Sequence, residues 1–155
     1  MKNIILTFLI IFFFSGCVLE NYNSDSKKHF QKIKFINSPE AKKNNYPFSE
    51  ATIVNNIIYL SGQIGTLNNG KLIEGGIKNE TRQTMMNIKS ILEKNGSSLE
   101  NIFKCTCMLA DIKDWPEMSK EYRKFFKNDL PSRSAFAGSG LALNARVEIE
   151  CWAIK

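Results

Sequence analysis

The chain has 155 residues, 43% of them hydrophobic and 23% charged, with a formal net charge of +6. That is the length and composition of one globular domain. Its lysines are spread out, with no basic run interleaved with aromatics, so basic solvated faces explain the charge and nucleic-acid binding is not expected.

The first residues stand apart from the rest. Met1-Lys2-Asn3 is a short basic start, and Ile4 to Phe14 is an apolar run broken only by Thr7. The run is too short for a membrane-spanning helix, which needs ~20 residues, and it fits a secretory signal with small residues before the cut. Cys17 follows Ser15-Gly16 and resembles the lipobox cysteine of bacterial lipoproteins, although Phe14 stands where leucine is usual. The resemblance implies a signal peptide over 1–16 and a diacylglycerol on Cys17. The chain would then be exported and held on a membrane by acyl chains, in the periplasm or on the cell surface. Glu20 to Gln31 is polar with no apolar period, so residues 17–32 are expected to be a flexible tether and 33–155 the folded domain.

Within that domain, Glu50 to Ser61 predicts a β-hairpin, two β-rich runs flanking Asn55-Asn56. Gly62 ends the second strand. Leu67 to Lys71 predicts a turn, and Leu72-Ile73 a short strand or extended chain. From Gly76 to about Asn95 the sequence predicts a long helix, with Met85, Ile88 and Leu92 at helical steps, Ile91 widening the stripe, and Gly96 as its stop. Ile102 to Leu109 reads as a strand. Asp114 is expected to cap a second helix with Pro116 in its first turn. Trp115, Met118, Tyr122 and Phe125/Phe126 are its expected buried face. Two strands follow, around Arg133–Phe136 and over Ala145–Ile154. In the last, Val147, Ile149 and Cys151 alternate with Glu148, Glu150 and Trp152.

The order β-β-α-β-α-β-β predicts an α+β domain, one mixed sheet covered on one face by both helices. The other face carries Glu148 and needs a partner, and copies of the same chain are one solution.

If Cys17 is lipidated, Cys105, Cys107 and Cys151 remain, an odd number from which no full disulfide framework follows. Cys105 and Cys107 share one face of their strand and are read as buried core thiols. A metal site would need a further ligand, and the sole histidine, His29, lies in the tether, so no metal is expected.

Pro131 to Ile154 holds the residues on which chemistry is expected. A guanidinium is a planar fork that grips a carboxylate through two hydrogen bonds, and Arg133 supplies one. Glu148, on a neighbouring strand, can handle a proton or a water. The pair suggests a site for a small acid; on spacing alone, an arginine and a glutamate so placed also fit a surface ion pair.

Several stretches together resemble the Rid family of enamine/imine deaminases, also called YjgF or RidA. They are Tyr59-Leu60-Ser61-Gly62-Gln63-Ile64, Thr81 to Ile88, Pro131-Ser132-Arg133-Ser134, and Arg146-Val147-Glu148-Ile149-Glu150. The resemblance runs from about Pro47 to Ile154. It implies a chorismate-mutase-like fold, a homotrimer with clefts between subunits, no cofactor, and hydrolysis of 2-imino acids to 2-keto acids and ammonia. Carried over by position, Arg133 would clamp the substrate carboxylate and Glu148 would orient water and move a proton. Ser61, Gly62 and the Ala135 backbone would line the cleft. Three positions depart from the family's pattern: Phe48 for a tyrosine, Ala135 for a cysteine and Ser119 for an asparagine. The thinner polar lining implies a taste for more apolar imino acids. Two alternatives stand beside deamination. One is a non-catalytic metabolite-binding or chaperone-like protein using the same cleft. The other is ribonuclease activity, which would lack a general-base histidine.

Overall fold

The structure, a computed structural model, describes residues 32–155. The expected signal peptide, Cys17 and all of the expected tether but Lys32 lie outside the described residues. Seven strands form one mixed sheet: β1 (Lys34–Ile36), β2 (Ala51–Val54), β3 (Ile57–Leu60), β4 (Gln63–Ile64), β5 (Ile102–Leu109), β6 (Ser132–Ala137) and β7 (Val147–Ile154). Their order is β1-β2-β3-β7-β5-β6, with β4 also pairing β7. Only β5 and β6 run parallel; the other pairs are antiparallel. The helices are α1 (Pro39–Lys43), α2 (Gly76–Lys94) and α3 (Trp115–Arg123).

Most elements lie where their local sequence puts them. The β2–β3 hairpin turns through Asn55, which takes a positive φ of 54°, as a tight hairpin turn asks of its residues. In α2, Met85, Ile88 and Leu92 are fully buried against the sheet, each contributing ~1.5–3 kcal/mol of burial. The helix ends before Gly96, whose φ of 79° costs a glycine little. Leu67 and Lys71 close the expected turn by a backbone hydrogen bond of 2.8 Å, while Leu72 makes only an isolated bridge to Thr66. β1, β4 and α1 are too short, at 2–5 residues, to carry a periodic signal and were not foreseen.

The strand register defines two faces. Cys105, Cys107 and Leu109 of β5 lie opposite Cys151, Ile149 and Val147 of β7, and all six are buried in the core with α2 and α3. The opposite face carries Glu148 and Glu150, with Tyr59 packed edge-on against Trp152 and Trp152 against Phe103. Both helices thus cover one face, and the acid-bearing face is left open, as expected.

Three local expectations are overturned. Cys105 is not the free core thiol expected, and Cys151, whose pairing the sequence left open, is its partner. They are register partners across β5 and β7 and form a disulfide spanning 46 residues of chain, a pairing set by a long-range register that cysteine spacing does not reveal. Cys107 alone remains a free buried thiol among the described residues. Asp114 does not cap α3 with its side chain, because both its oxygens take Arg146, at 2.7 and 3.0 Å. Trp115, placed on the buried face by its spacing, is 43% exposed; at the first residue of α3 it lies past the main core and over Arg133 instead.

Candidate active site

The expected site residues fall into two groups, on different faces of the sheet. Arg133 and Ala135 lie on β6, the terminal strand of the sheet, at the levels of Cys105 and Cys107. They therefore face the helices. The Arg133 guanidinium donates from Nη2 to Ser119 Oγ at 2.9 Å, and Nη1 lies 3.8 Å from the Met118 sulfur. Its Cζ is 5.0 Å from the Tyr122 ring centre and 5.6 Å from that of Trp115, within the range of cation–π attraction. Ser119, expected in the site, thus reaches the guanidinium directly through its hydroxyl. Tyr122 is 3% exposed, its hydroxyl has no hydrogen-bond partner, and burial raises its pKa. Burial pushes the neighbouring Cys107 thiol up to about 11, with Arg133 pulling the other way. A thiol so raised stays protonated at neutral pH and is a poor nucleophile.

The second group runs from the end of β3 to Glu148 on the open face, which it meets at Gly62. Ser61 Oγ donates to the Ser49 carbonyl at 2.7 Å, and Ser61 N–H to the Glu50 carbonyl at 3.0 Å. These bonds fold the segment before β2 against the end of β3. They also place Phe48, beside Ser49 in sequence, near Ser61. Phe48 is half exposed and stacks on Tyr46, with ring centres 5.6 Å apart, so a phenol persists in this cluster although position 48 has none. Gly62 packs directly on Glu148; a Cβ there would overlap the carboxylate. The carboxyl pKa is raised, first by burial and then by Glu150. That combination favours holding and releasing a proton nearer neutrality than an ordinary glutamate does.

Within one protomer the two groups do not meet. Arg133 lies opposite Cys105 and Glu148 opposite Met108. Their strands are two strand spacings apart, about 10 Å, and their side chains leave opposite faces of the sheet. Sequence reasoning also missed two members of the first group. Trp115 and Tyr122 were read as core from their helical spacing, yet both flank the guanidinium; only the strand pairing that brings β6 under α3 reveals it.

The model of the family described as Endoribonuclease L-PSP matches residues 36–155. The human 2-iminobutanoate/2-iminopropanoate deaminase is 38% identical over 110 residues, 70% of this chain and 80% of that protein. The bovine deaminase of the same name is 36% identical over 123 residues, 79% of this chain and 90% of its own. Among solved structures, YyfA of the Rid protein family from Yersinia pestis aligns with a TM-score of 0.74 at 32% identity, covering 80% of this chain and all of its own. Yeast Mmf1 aligns with a TM-score of 0.73 at 33% identity, over 80% of this chain and 99% of its own. The order of strands and helices, the arginine on the terminal strand and the glutamate beside Gly62 thus accompany a match that takes in six of the seven strands and the end of β1, and the chain belongs to the Endoribonuclease L-PSP family, the Rid (YjgF/RidA) proteins.

Proposed function

We propose that this protein is a deaminase that hydrolyses 2-imino acids, and the enamines that tautomerise to them, to 2-keto acids and ammonia. The observation that carries the reading is the Arg133 guanidinium. Two rings and a hydroxyl hold it at the terminal strand of the sheet, and among the described ion pairs it has no anionic partner. A substrate carboxylate fits the free edge of that fork, and such fixation supplies orientation to the reacting carbon. The similarity to named imine deaminases agrees.

The reaction needs little more. A protonated imine carbon is electrophilic, so water adds without a covalent nucleophile. The resulting carbinolamine loses ammonia and leaves a carbonyl; one water is consumed per ammonia released. Glu148 takes the proton from the attacking water and returns it to the departing nitrogen, a role for which a raised pKa is suited.

Because the two side chains leave opposite faces of one protomer, the site is completed by a second copy. A homotrimer in which the β6 edge of one protomer meets the open face of the next brings Arg133 to Glu148. It also covers Tyr59, Phe103 and Trp152. Light scattering on residues 32–155 tests the assembly.

The decisive assay generates 2-imino acids with an amino-acid oxidase and traps them with semicarbazide. The wild-type protein lowers semicarbazone yield and Arg133→Ala does not. A wild type that binds 2-keto acids but leaves semicarbazone unchanged establishes the non-catalytic binding reading instead.

Export and anchoring through Cys17 belong to the same proposal. Their support is the leader sequence together with the Cys105–Cys151 disulfide, since such bonds persist in oxidising compartments. Palmitate labelling that survives Cys17→Ala unchanged would refute the anchor.

A further inference from the structure

We infer that Trp115 is a positioning and specificity-determining residue of the carboxylate clamp, and that its exposed ring selects 2-imino acids with apolar side chains of several carbons. This rests on reading Arg133 as the carboxylate-binding group and extends it to the substituent next to that carboxylate.

The guanidinium lies near two rings of unequal character. Tyr122 is buried and belongs to the core. Trp115, 5.6 Å from the same guanidinium, keeps 43% of its surface exposed. It therefore does two things at once. Part of its π face attracts the cation, and the remaining ring is an apolar wall reaching solvent beside the fork. Ser119 Oγ and the Met118 sulfur occupy the α3 side of the guanidinium, so a carboxylate must approach from the edges they leave. Its α-substituent is then carried close to the indole.

The wall is held in place. Asp114, the preceding residue, is gripped by both Arg146 Nε and Nη2 at 3.0 and 2.7 Å, which ties the start of α3 to the residue before β7. Pro116 fixes the backbone on the other side. Arg146 also donates its backbone N–H to Glu80 of α2 at 2.8 Å. The ring is thus mounted on a fork anchored to the sheet and the long helix. A preorganised apolar surface of this kind rewards each added methylene that it covers. The smallest imino acid, with a single methyl, gains little from it.

The test measures KM and kcat for imines generated from alanine, norvaline and leucine, with the wild type, Trp115→Ala and Trp115→Phe in the full-length protein. Calorimetric binding of 2-oxopropanoate, 2-oxopentanoate and 4-methyl-2-oxopentanoate runs alongside. Trp115→Ala is expected to raise KM and Kd about tenfold for the two longer ligands and about twofold for the shortest, with kcat nearly unchanged. Trp115→Phe, which keeps a ring over Arg133, is expected to recover most of the loss. Unchanged constants in Trp115→Ala overturn the inference, as does a loss equal at every chain length. Should the wild type bind 2-keto acids without turning over any imine, the deaminase reading fails, while a chain-length-dependent loss of binding in Trp115→Ala still upholds the role of the ring.

Discussion

The two halves of the proposed site are built by opposite means. The arginine half is rigid. Cys105, the register partner of Arg133, is also cross-linked to Cys151, so the strand beneath the clamp is covalently tied to the centre of the sheet. Above it, Ser119, Tyr122 and Trp115 fix the guanidinium from one short helix. The glutamate half shares that disulfide, through Cys151 on β7, but the Glu148 side chain itself has no partner among the described ion pairs. The carboxylate stands on the open face with the backbone of Gly62 packed against it, its pKa raised by burial and by the neighbouring charge of Glu150. The difference follows from the tasks. A clamp works by holding one geometry against the entropy of the bound acid, whereas a proton carrier works by keeping its charged and neutral forms close in energy.

Substitutions can break this contrast at either end. Glu148→Gln keeps the shape and removes the proton carrier, so turnover should fall about 10²–10⁴-fold while 2-keto acids still bind; loss of binding as well would place Glu148 in the clamp. Arg133→Ala should cost about 10²–10³ in kcat/KM, the usual scale for truncating one partner of a desolvated charge pair, and should abolish 2-keto acid binding. Co-expressing the two inactive variants sharpens the comparison further. If each site takes its arginine from one protomer and its glutamate from another, mixed assemblies regain about a quarter of the activity, the chance that a random interface joins two intact halves. No recovery would place both groups in one protomer's site. Removing the tie under the clamp with Cys105→Ala/Cys151→Ala should lower stability by about 2–4 kcal/mol, read by chemical denaturation, with a smaller change in kcat than either site variant. The smallest effect concerns pH. The folded-state pKa of Glu148 is raised, so the neutral form stabilises the fold below the ordinary glutamate range. That contribution is lost as pH rises through the raised value. Glu148→Gln, which cannot ionise, should therefore melt at a higher temperature than wild type at pH 7 and show no such advantage at pH 4.

Much of the fold was legible because it is written in local periods. The Met85, Ile88 and Leu92 stripe, the Asn55 turn, and the alternation that gives β5 its bounds each follow from neighbours a few residues apart. Tyr122 and Met118 were correctly read as buried. Trp115 was not, because the same spacing that buries Tyr122 leaves the first residue of α3 beyond the edge of the core. Asp114 has the chemistry of a cap, but a guanidinium from thirty-two residues away competes for it and wins with two charged hydrogen bonds. The three-residue β1 and the two-residue β4 exist by pairing with longer strands, and nothing in so short a stretch announces that.

The site divides along the same line. Sequence alone determined which groups could do the chemistry, because a fork-shaped cation and a carboxylate are properties of side chains. It also determined that they would stand on two strands of one mixed sheet, because strand runs alternating with two helices bury their apolar faces in a single α+β layer design. Only the tertiary structure decided that the two groups leave opposite faces, that Cys105 meets Cys151, and that an exposed indole flanks the arginine. Each of these depends on which strand lies beside which, and that choice is made by the burial of the whole core rather than by any stretch of the chain.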